Sequence, residues 1–323
     1  MCTCIFLSDS GHFFGRNLDI EKSYGEGVVI TPRGYTLSMR RADNLTRHYA
    51  IIGAGIVSRG YPLYFDGANE HGLAIAGLNF VGNARYFPPK ENKLNLASFE
   101  LIPYVLATCK SVEEAKSELT HVNVTDLPFS RELPPSELHW MISDKRGSIV
   151  VEQTENGLKM YDNPTDVLTN NPPFPFHLQN LNNYINLTPD PPENRFSQKI
   201  HLDAYSRGMG ALGLPGDLSS SSRFVRAAFT RLNSKPQSST ELSISQAFHI
   251  LSSVEQVEGC VRLGDELERT EYSSVINLDT LTYYYKTYTS GRVTAVRLFS
   301  EDIDSSTLIS FPLERELGVS YKN

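Results

Sequence analysis

The chain has 323 residues, a formal charge of −7, and a composition that is 40% hydrophobic and 21% charged. That is the makeup of an ordinary globular protein long enough to bury a large core without covalent staples. It has no basic stripe of the kind a nucleic-acid surface needs, no apolar run near the ~20 residues of a membrane span, and four cysteines too scattered for a disulfide framework; a reducing cytoplasm is the expected compartment.

The chain opens "MCTCIFLSD", a β-rich run that turns at Ser10-Gly11 and returns as "HFFGRNLD". "GVVITPRGYTL" predicts a second pair of strands around a turn at Pro32 to Gly34. "AIIGAG" and "YPLYFDGANEHGLAIAGLNF" continue the pattern, with a turn at Asn69 to Gly72. Gly53-Ala-Gly55 lacks the rest of a nucleotide-binding fingerprint and no helix follows it, so it reads as a closely packed strand. "ASFELIPYVLATCKSVEEAKSELT" predicts two helices, the second opening at Ser111 with Glu114 three residues on, a capping-box spacing. Strands resume with "LHWMISD", "GSIVVEQTENG" and "LKMYDN".

Residues 187–217 are dominated by proline, glycine and polar side chains and predict a loop-rich arm. Helices are expected at "SSSSRFVRAAFTRLN" and "SISQAFHILSSVEQV". The final alternating runs of "EYSSVINLDTLTYYYKTYTSGRVTAVRLF" predict strands, with Ser290-Gly291 at a hairpin. The order predicts one α+β domain over 1–323, with helices packed on antiparallel sheets.

The chemistry concentrates at Cys2. Cys2 and Cys4 share one strand face, yet Cys109 and Cys260 lie alone and no histidine pairs with them at ligand spacing, so no metal is expected; Cys4, Cys109 and Cys260 read as structural thiols. Methionine before a small residue is ordinarily trimmed from new chains. Loss of Met1 would put an α-amine of ordinary pKa about 8 on the same residue as a thiol, so that base and nucleophile need no partner from elsewhere. The returning strand would bring Arg16 and Asp19 toward the strand start, Arg16 to stabilise a thiolate and Asp19 to hold the amine. The bland alternative for these two is a surface ion pair worth little.

Taken together, Met-Cys-Thr, "GRNLD", "YGEGVVITPRGY", "NEHGLAIAGLNF", "LTNNP" and "GLPGDLSSSSRFVR" make the chain resemble the choloylglycine hydrolase family from residue 1 to the final hairpin. This is the cysteine branch of the N-terminal-nucleophile hydrolases, and it contains bile salt hydrolases and penicillin V acylases. The resemblance implies a four-layer αββα sandwich of two antiparallel sheets, no cofactor, and a homotetramer in which the arm is an assembly element.

By the same resemblance Cys2 matches the nucleophile and Arg16 and Asp19 the pair in "GRNLD". Asn79 matches an oxyanion-stabilising position that is tyrosine in many penicillin V acylases. Asn170 matches a second amide, with Asn171 the neighbouring register, and Arg223 a distal arginine, with Arg226 the neighbouring register. The implied substrates are glycine- or taurine-conjugated bile acids, with phenoxyacetyl penicillin and other N-acyl amides as alternatives. A non-catalytic binding protein retaining Met1 is the alternative of another class. Ile20, Phe65, Phe80 and the segment from Leu133 to Leu138 are the apolar residues expected around a steroid. Arg207, in the arm, is expected to meet the anionic head group and to favour taurine, with Gly208 and Gly210 allowing close approach.

Overall fold

The computed structural model describes Met1 to Asn323. In chain order the strands and helices are β1 (Cys2–Ser8), β2 (His12–Ile20), β3 (Gly27–Thr31), β4 (Ile51–Ser58), β5 (Tyr61–Asn69), β6 (Ala74–Asn79), β7 (Leu94–Ala97), α1 (Leu101–Thr108), α2 (Val112–Leu119), β8 (Val122–Thr125), β9 (Leu138–Asp144), β10 (Gly147–Thr154), β11 (Gly157–Asp162), β12 (Val167–Leu168), α3 (Phe174–Asn180), α4 (Ser220–Asn233), α5 (Thr240–Ser252), β13 (Val261–Leu263), β14 (Glu266–Asn277), β15 (Thr282–Thr287), β16 (Thr294–Arg297) and β17 (Ile309–Pro312).

Two antiparallel sheets face each other. One runs β12-β1-β2-β14-β15-β16, with β13 on β14; the other runs β11-β10-β9-β6-β5-β4-β3-β17. Helices α4 and α5 cover the first sheet, and α1 and α2 the second. Four layers result, αββα, because each sheet must bury both faces. β1 is accordingly buried along its length apart from Ser8, so its residues alternate between the inter-sheet core and the helix layer.

Local chemistry explains most boundaries. Ser111 caps α2, its Oγ accepting from Glu114 N at 3.2 Å. Glu114 reaches back to Lys110 N at 2.8 Å, one residue short of a reciprocal box. α5 begins at Thr240, three residues before the expected start, because Ser239 caps it through Leu242 N. The expected strand after Pro32 to Gly34 does not form; only a single bridge, Leu37 with Leu45, remains. The arm at 187–217 holds one short 3₁₀ turn, Met209–Ala211, and no strand.

Two bulges shape the centre. Between β4 and β5 the register shifts so that Ala54 faces Asp66 and Gly55 faces Tyr64, leaving Phe65 as the extra residue. A Cβ at Gly53 would meet Asp66 O at 2.1 Å, and one at Gly55 would meet Leu63 O at 2.3 Å, so the bulge requires both glycines. Between β2 and β14, Asp19 faces Thr270 and Leu18 faces Tyr272, leaving Glu271 as the extra residue.

Candidate active site

The β1–β2 hairpin pairs Cys2 with Leu18 and Cys4 with Arg16. Even-numbered side chains of both strands therefore enter the inter-sheet core, and Thr3, Asn17 and Asp19 enter the helix side. Arg16 is fully buried. Its Nη2 donates to Cys2 Sγ at 2.7 Å and its Nη1 donates to Phe65 O at 2.8 Å, the carbonyl that the β5 bulge turns inward. Behind it Asp66 Oδ2 lies 3.6 Å from Nη1 and accepts from Tyr272 at 2.6 Å, while Asp66 Oδ1 accepts from Tyr283 at 2.7 Å. Burial works against the Arg16 cation, but Cys2, Tyr272, Cys4 and Asp66 together outweigh it and hold the guanidinium above its ordinary range. Burial pushes the Asp66 carboxyl up, against the pull of Arg16 and the two tyrosines.

The backbone of Cys2 is held from the other face. Its N–H donates to Asn170 Oδ1 at 2.9 Å, and its carbonyl accepts from Arg223 Nη1 at 2.6 Å. Arg223 also donates to Thr3 Oγ1 at 2.8 Å and to Asn170 Oδ1 at 2.7 Å. Asn170 Nδ2 donates to Asn79 O at 2.7 Å, tying the end of β6 to the start of β1. The Asn79 side chain itself is exposed.

Arg223 sits here because Asp217 fixes the turn that enters α4: its carboxylate accepts from the N-cap Ser219 N at 2.9 Å and from Ser222 Oγ at 2.6 Å. Those bonds hold the Asp217 carboxyl down at about 2. Arg223 is then the fourth residue of the helix, aimed at β1.

Asp19 lies on the same face, 3.9 Å from Arg223 Nη1. Thr270 Oγ1 donates to its Oδ1 at 2.6 Å and Gln256 Nε2 to its Oδ2 at 3.3 Å. Burial raises the Asp19 carboxyl and lowers the Arg223 guanidinium, each opposed by the other's charge. The α-ammonium of Met1 donates to Asp19 O at 2.7 Å and to the carboxylate of Glu268.

Cys2, Arg16, Asp19, Asn170 and Arg223 thus converge, with Asn79 at the rim. Asn171 instead donates to Val81 O, and Arg226 to Pro215 O at 3.0 Å; neither touches Cys2. Ile20 and Phe65 are half-buried against the core. Two expected lining residues are corrected. Leu138 points to the opposite side of its sheet, packing with Ile102 beneath α1 around Gly77, because it has the other parity from His139 on β9. Phe80 is fully buried with its ring stacked 4.2 Å from that of His139, so it backs the wall and offers no surface. Arg207 is exposed, and its guanidinium has no polar partner. Gly210 makes its close approach within the arm, to the Asp190 and Thr188 carbonyls.

Several supporting residues carried no sequence signal. Asp66, Tyr272 and Tyr283 brace Arg16. Ser220 Oγ accepts from Asn170 N at 2.8 Å, and His177 Nε2 donates to Asn170 O at 2.8 Å. Glu268 and Thr270 come from a strand some 250 residues away from Asp19; only the bulge at Glu271 places Thr270 opposite it. No three His, Cys, Asp or Glu side chains converge on a point that could hold a metal.

A buried, arginine-contacted thiol at the start of a central strand in an αββα sandwich is the architecture of an N-terminal-nucleophile hydrolase. A family model described as linear amide C–N hydrolases, choloylglycine hydrolase family, matches residues 2–311, and the chain belongs to that family. A bile salt hydrolase/transferase of Lactiplantibacillus plantarum is 51% identical over 98% of both chains. The fold superposes on a mutant of the conjugated bile acid hydrolase of Clostridium perfringens with a TM-score of 0.93, 37% identity and full coverage of both chains. It also superposes on a penicillin V acylase of Agrobacterium tumefaciens with a TM-score of 0.75 and 21% identity, covering 98% of this chain and 92% of that one; that likeness concerns the fold alone. No helix is long and apolar enough to cross a membrane.

Proposed function

We propose that this protein hydrolyses the amide bond of glycine- or taurine-conjugated bile acids, using Cys2 as nucleophile once Met1 is removed. The observation that carries the reading is the 2.7 Å contact of Arg16 Nη2 with Cys2 Sγ, at the first residue the mature chain would have. The family membership and the relatives named above support the substrate class.

In this reading the free α-amine of Cys2 takes the thiol proton, and sulfur attacks the amide carbonyl. Charge moves onto the carbonyl oxygen, where Asn79 supplies the proposed N–H donor; one such donor is worth ~3 kcal/mol. As the C–N bond breaks, the Cys2 ammonium protonates the departing glycine or taurine. Water, deprotonated by the same amine, then attacks the thioester, and the free bile acid and the thiol are regenerated. Asn170 and Arg223 fix the Cys2 backbone so that thiol and amine keep their geometry, and Asp19 orients the charged amine. The residues call for no metal or organic cofactor.

Asn79 in place of a tyrosine favours conjugated bile acids over penicillin V. Arg207 is our candidate for the sulfonate of taurine. The exposed Phe196, Tyr205 and Leu212 of the arm suit burial in a homotetramer, and four free cysteines suit a cytoplasmic setting. The test is intact-mass measurement of purified protein together with assays on glycocholate, taurocholate and penicillin V. The reading expects a mass lacking Met1 and a higher kcat/KM on a bile salt. Full activity with Met1 still attached would overturn the amine mechanism, and a Met1-retaining protein that binds bile salts without cleaving them would establish the binding-protein alternative.

A further inference from the structure

Glu268 has no part in the scheme above, yet it is built into the site. It is 4% exposed, on β14 two residues before Thr270, the residue that holds Asp19. Its carboxylate receives the Met1 ammonium, which also donates to Asp19 O at 2.7 Å. A buried carboxylate stripped of its cation is costly. Removal of Met1 takes this cation away and leaves the next amine, that of Cys2, one residue further along the same strand.

We propose that Glu268 is a positioning residue for the mature N-terminus: with Asp19 it is the counter-charge that sets the protonation of the Cys2 α-amine. The inference rests on Cys2 becoming the first residue. The vacated place between the Glu268 carboxylate and the Asp19 carbonyl is one residue along the chain from Cys2 N. Cys2 N itself stays anchored on Asn170, so the amine has an amide oxygen on one side and the Glu268 carboxylate and Asp19 carbonyl on the other.

The charges facing this place come from three elements. β2 contributes Asp19 and, just after its end, Glu21, α4 contributes Arg223, and β1 contributes the Cys2 thiol, with Arg16 of β2 beyond it. The Arg16 cation thus stands on the thiol, Arg223 bridges the Cys2 carbonyl and Asn170, and the Glu268 carboxylate stands on the N-terminal side. This separation favours a proton on nitrogen rather than on sulfur when the pair carries one proton. Glu268 is the member of the acidic group whose contact is to the N-terminus itself.

The experiment is the pH profile of kcat/KM on a conjugated bile salt for the native protein, Glu268→Gln and Glu268→Asp, each confirmed by mass to begin at Cys2. Glutamine keeps the shape and removes the charge. The acid limb, which reports protonation of the free amine–thiol pair, should move to lower pH in Glu268→Gln by about half a unit to two units, the range expected for one charge at this separation. Glu268→Asp should keep the native limb with a lower plateau. The rate of iodoacetamide alkylation of Cys2 against pH is the second reading and should shift the same way in any variant too slow to assay. An acid limb and an alkylation profile both unchanged in Glu268→Gln would overturn the proposal. A native protein that cleaves no bile salt would instead sink the functional reading, and the alkylation profile would still test Glu268.

Discussion

Arg16 Nη2 lies 2.7 Å from Cys2 Sγ and Arg16 Nη1 lies 2.8 Å from Phe65 O. One guanidinium therefore joins the thiol to a bulge in the opposite sheet. Because it is fully buried, its position is fixed by packing rather than by solvent. Replacing it with leucine removes a charge-assisted hydrogen bond worth ~1.5–3 kcal/mol. Arg16→Leu should lower kcat/KM on conjugated bile salts by one to two orders of magnitude and slow alkylation of Cys2 by iodoacetamide. Unchanged alkylation would show that the contact does not act on sulfur.

Asp66 is the brace behind that arginine. Removing one partner of a buried pair leaves an uncompensated charge at a cost of ~3–5 kcal/mol. Asp66→Asn should lower the urea midpoint accordingly and reduce hydrolysis, although Asp66 is not expected to touch substrate. The paired variants Tyr272→Phe and Tyr283→Phe should each give a smaller loss of about 1 kcal/mol. A native midpoint in Asp66→Asn would remove the brace from the account.

Cys2 and Cys4 share a strand face but not an environment. Burial holds the Cys4 thiol far above its usual range, so it stays protonated and inert. Cys2→Ala should abolish hydrolysis and Cys2→Ser should nearly do so. Cys4→Ala should keep hydrolysis and lose about 1 kcal/mol of stability for the small void. The reverse pattern would move the nucleophile to Cys4.

How far the sequence led is clearest at this hairpin. The hairpin brought Arg16 and Asp19 toward the strand start, and the register then divides them: Arg16 shares the face of Cys2 and Asp19 takes the other. Leu138 was expected in the site as part of the apolar segment from Leu133: the strand was recognised, but nothing local said which of its faces met the other sheet. Phe80 was expected at the surface of the site because it follows Asn79, and the fold turns it inward onto His139. The braces Asp66 and Glu268 were invisible for a different reason. They depend on bulges and on pairings across some 50 and 250 residues, and such long-range registers leave no mark in a local window. The family resemblance supplied Asn170 and Arg223, which spacing alone did not.

His177 supports Asn170 from below, and burial holds its pKa down to about 4 against ~6.5 in an unfolded chain. Above about pH 6.5 the imidazole is neutral in both states. As pH falls from there toward 4, the unfolded chain takes up a proton that the folded one refuses, and stability drops by up to about 3 kcal/mol. Asp19 and Asp66, raised by burial, bind protons more readily when folded and work in the opposite direction. His177→Gln, which can still donate to Asn170 O, should flatten the loss between pH 6.5 and 4 in urea titrations. An unaltered slope would assign the acid sensitivity elsewhere.

Arg207 is tested by a ratio rather than a rate. If it reads the head group, Arg207→Ala should lower kcat/KM on taurocholate more than on glycocholate. Equal losses on both, or none, would leave it a surface residue of the arm.

The clamp on Met1 also sets a clock. Its carboxylate is the 268th residue made and the arginine on the Cys2 carbonyl is the 223rd, so neither exists while the first strands emerge from the ribosome. At about 5–20 residues per second, the start of the chain stays open for roughly 13 to 54 s before the last of its partners is synthesised. An aminopeptidase working on nascent chains has that interval to free Cys2. Once β14 docks, the bonds from Glu268 and Asp19 hold whatever residue then stands first. If Cys2 is the mature first residue, slow trimming or fast translation in a foreign host should divide the product into two populations, separated by the mass of one methionine.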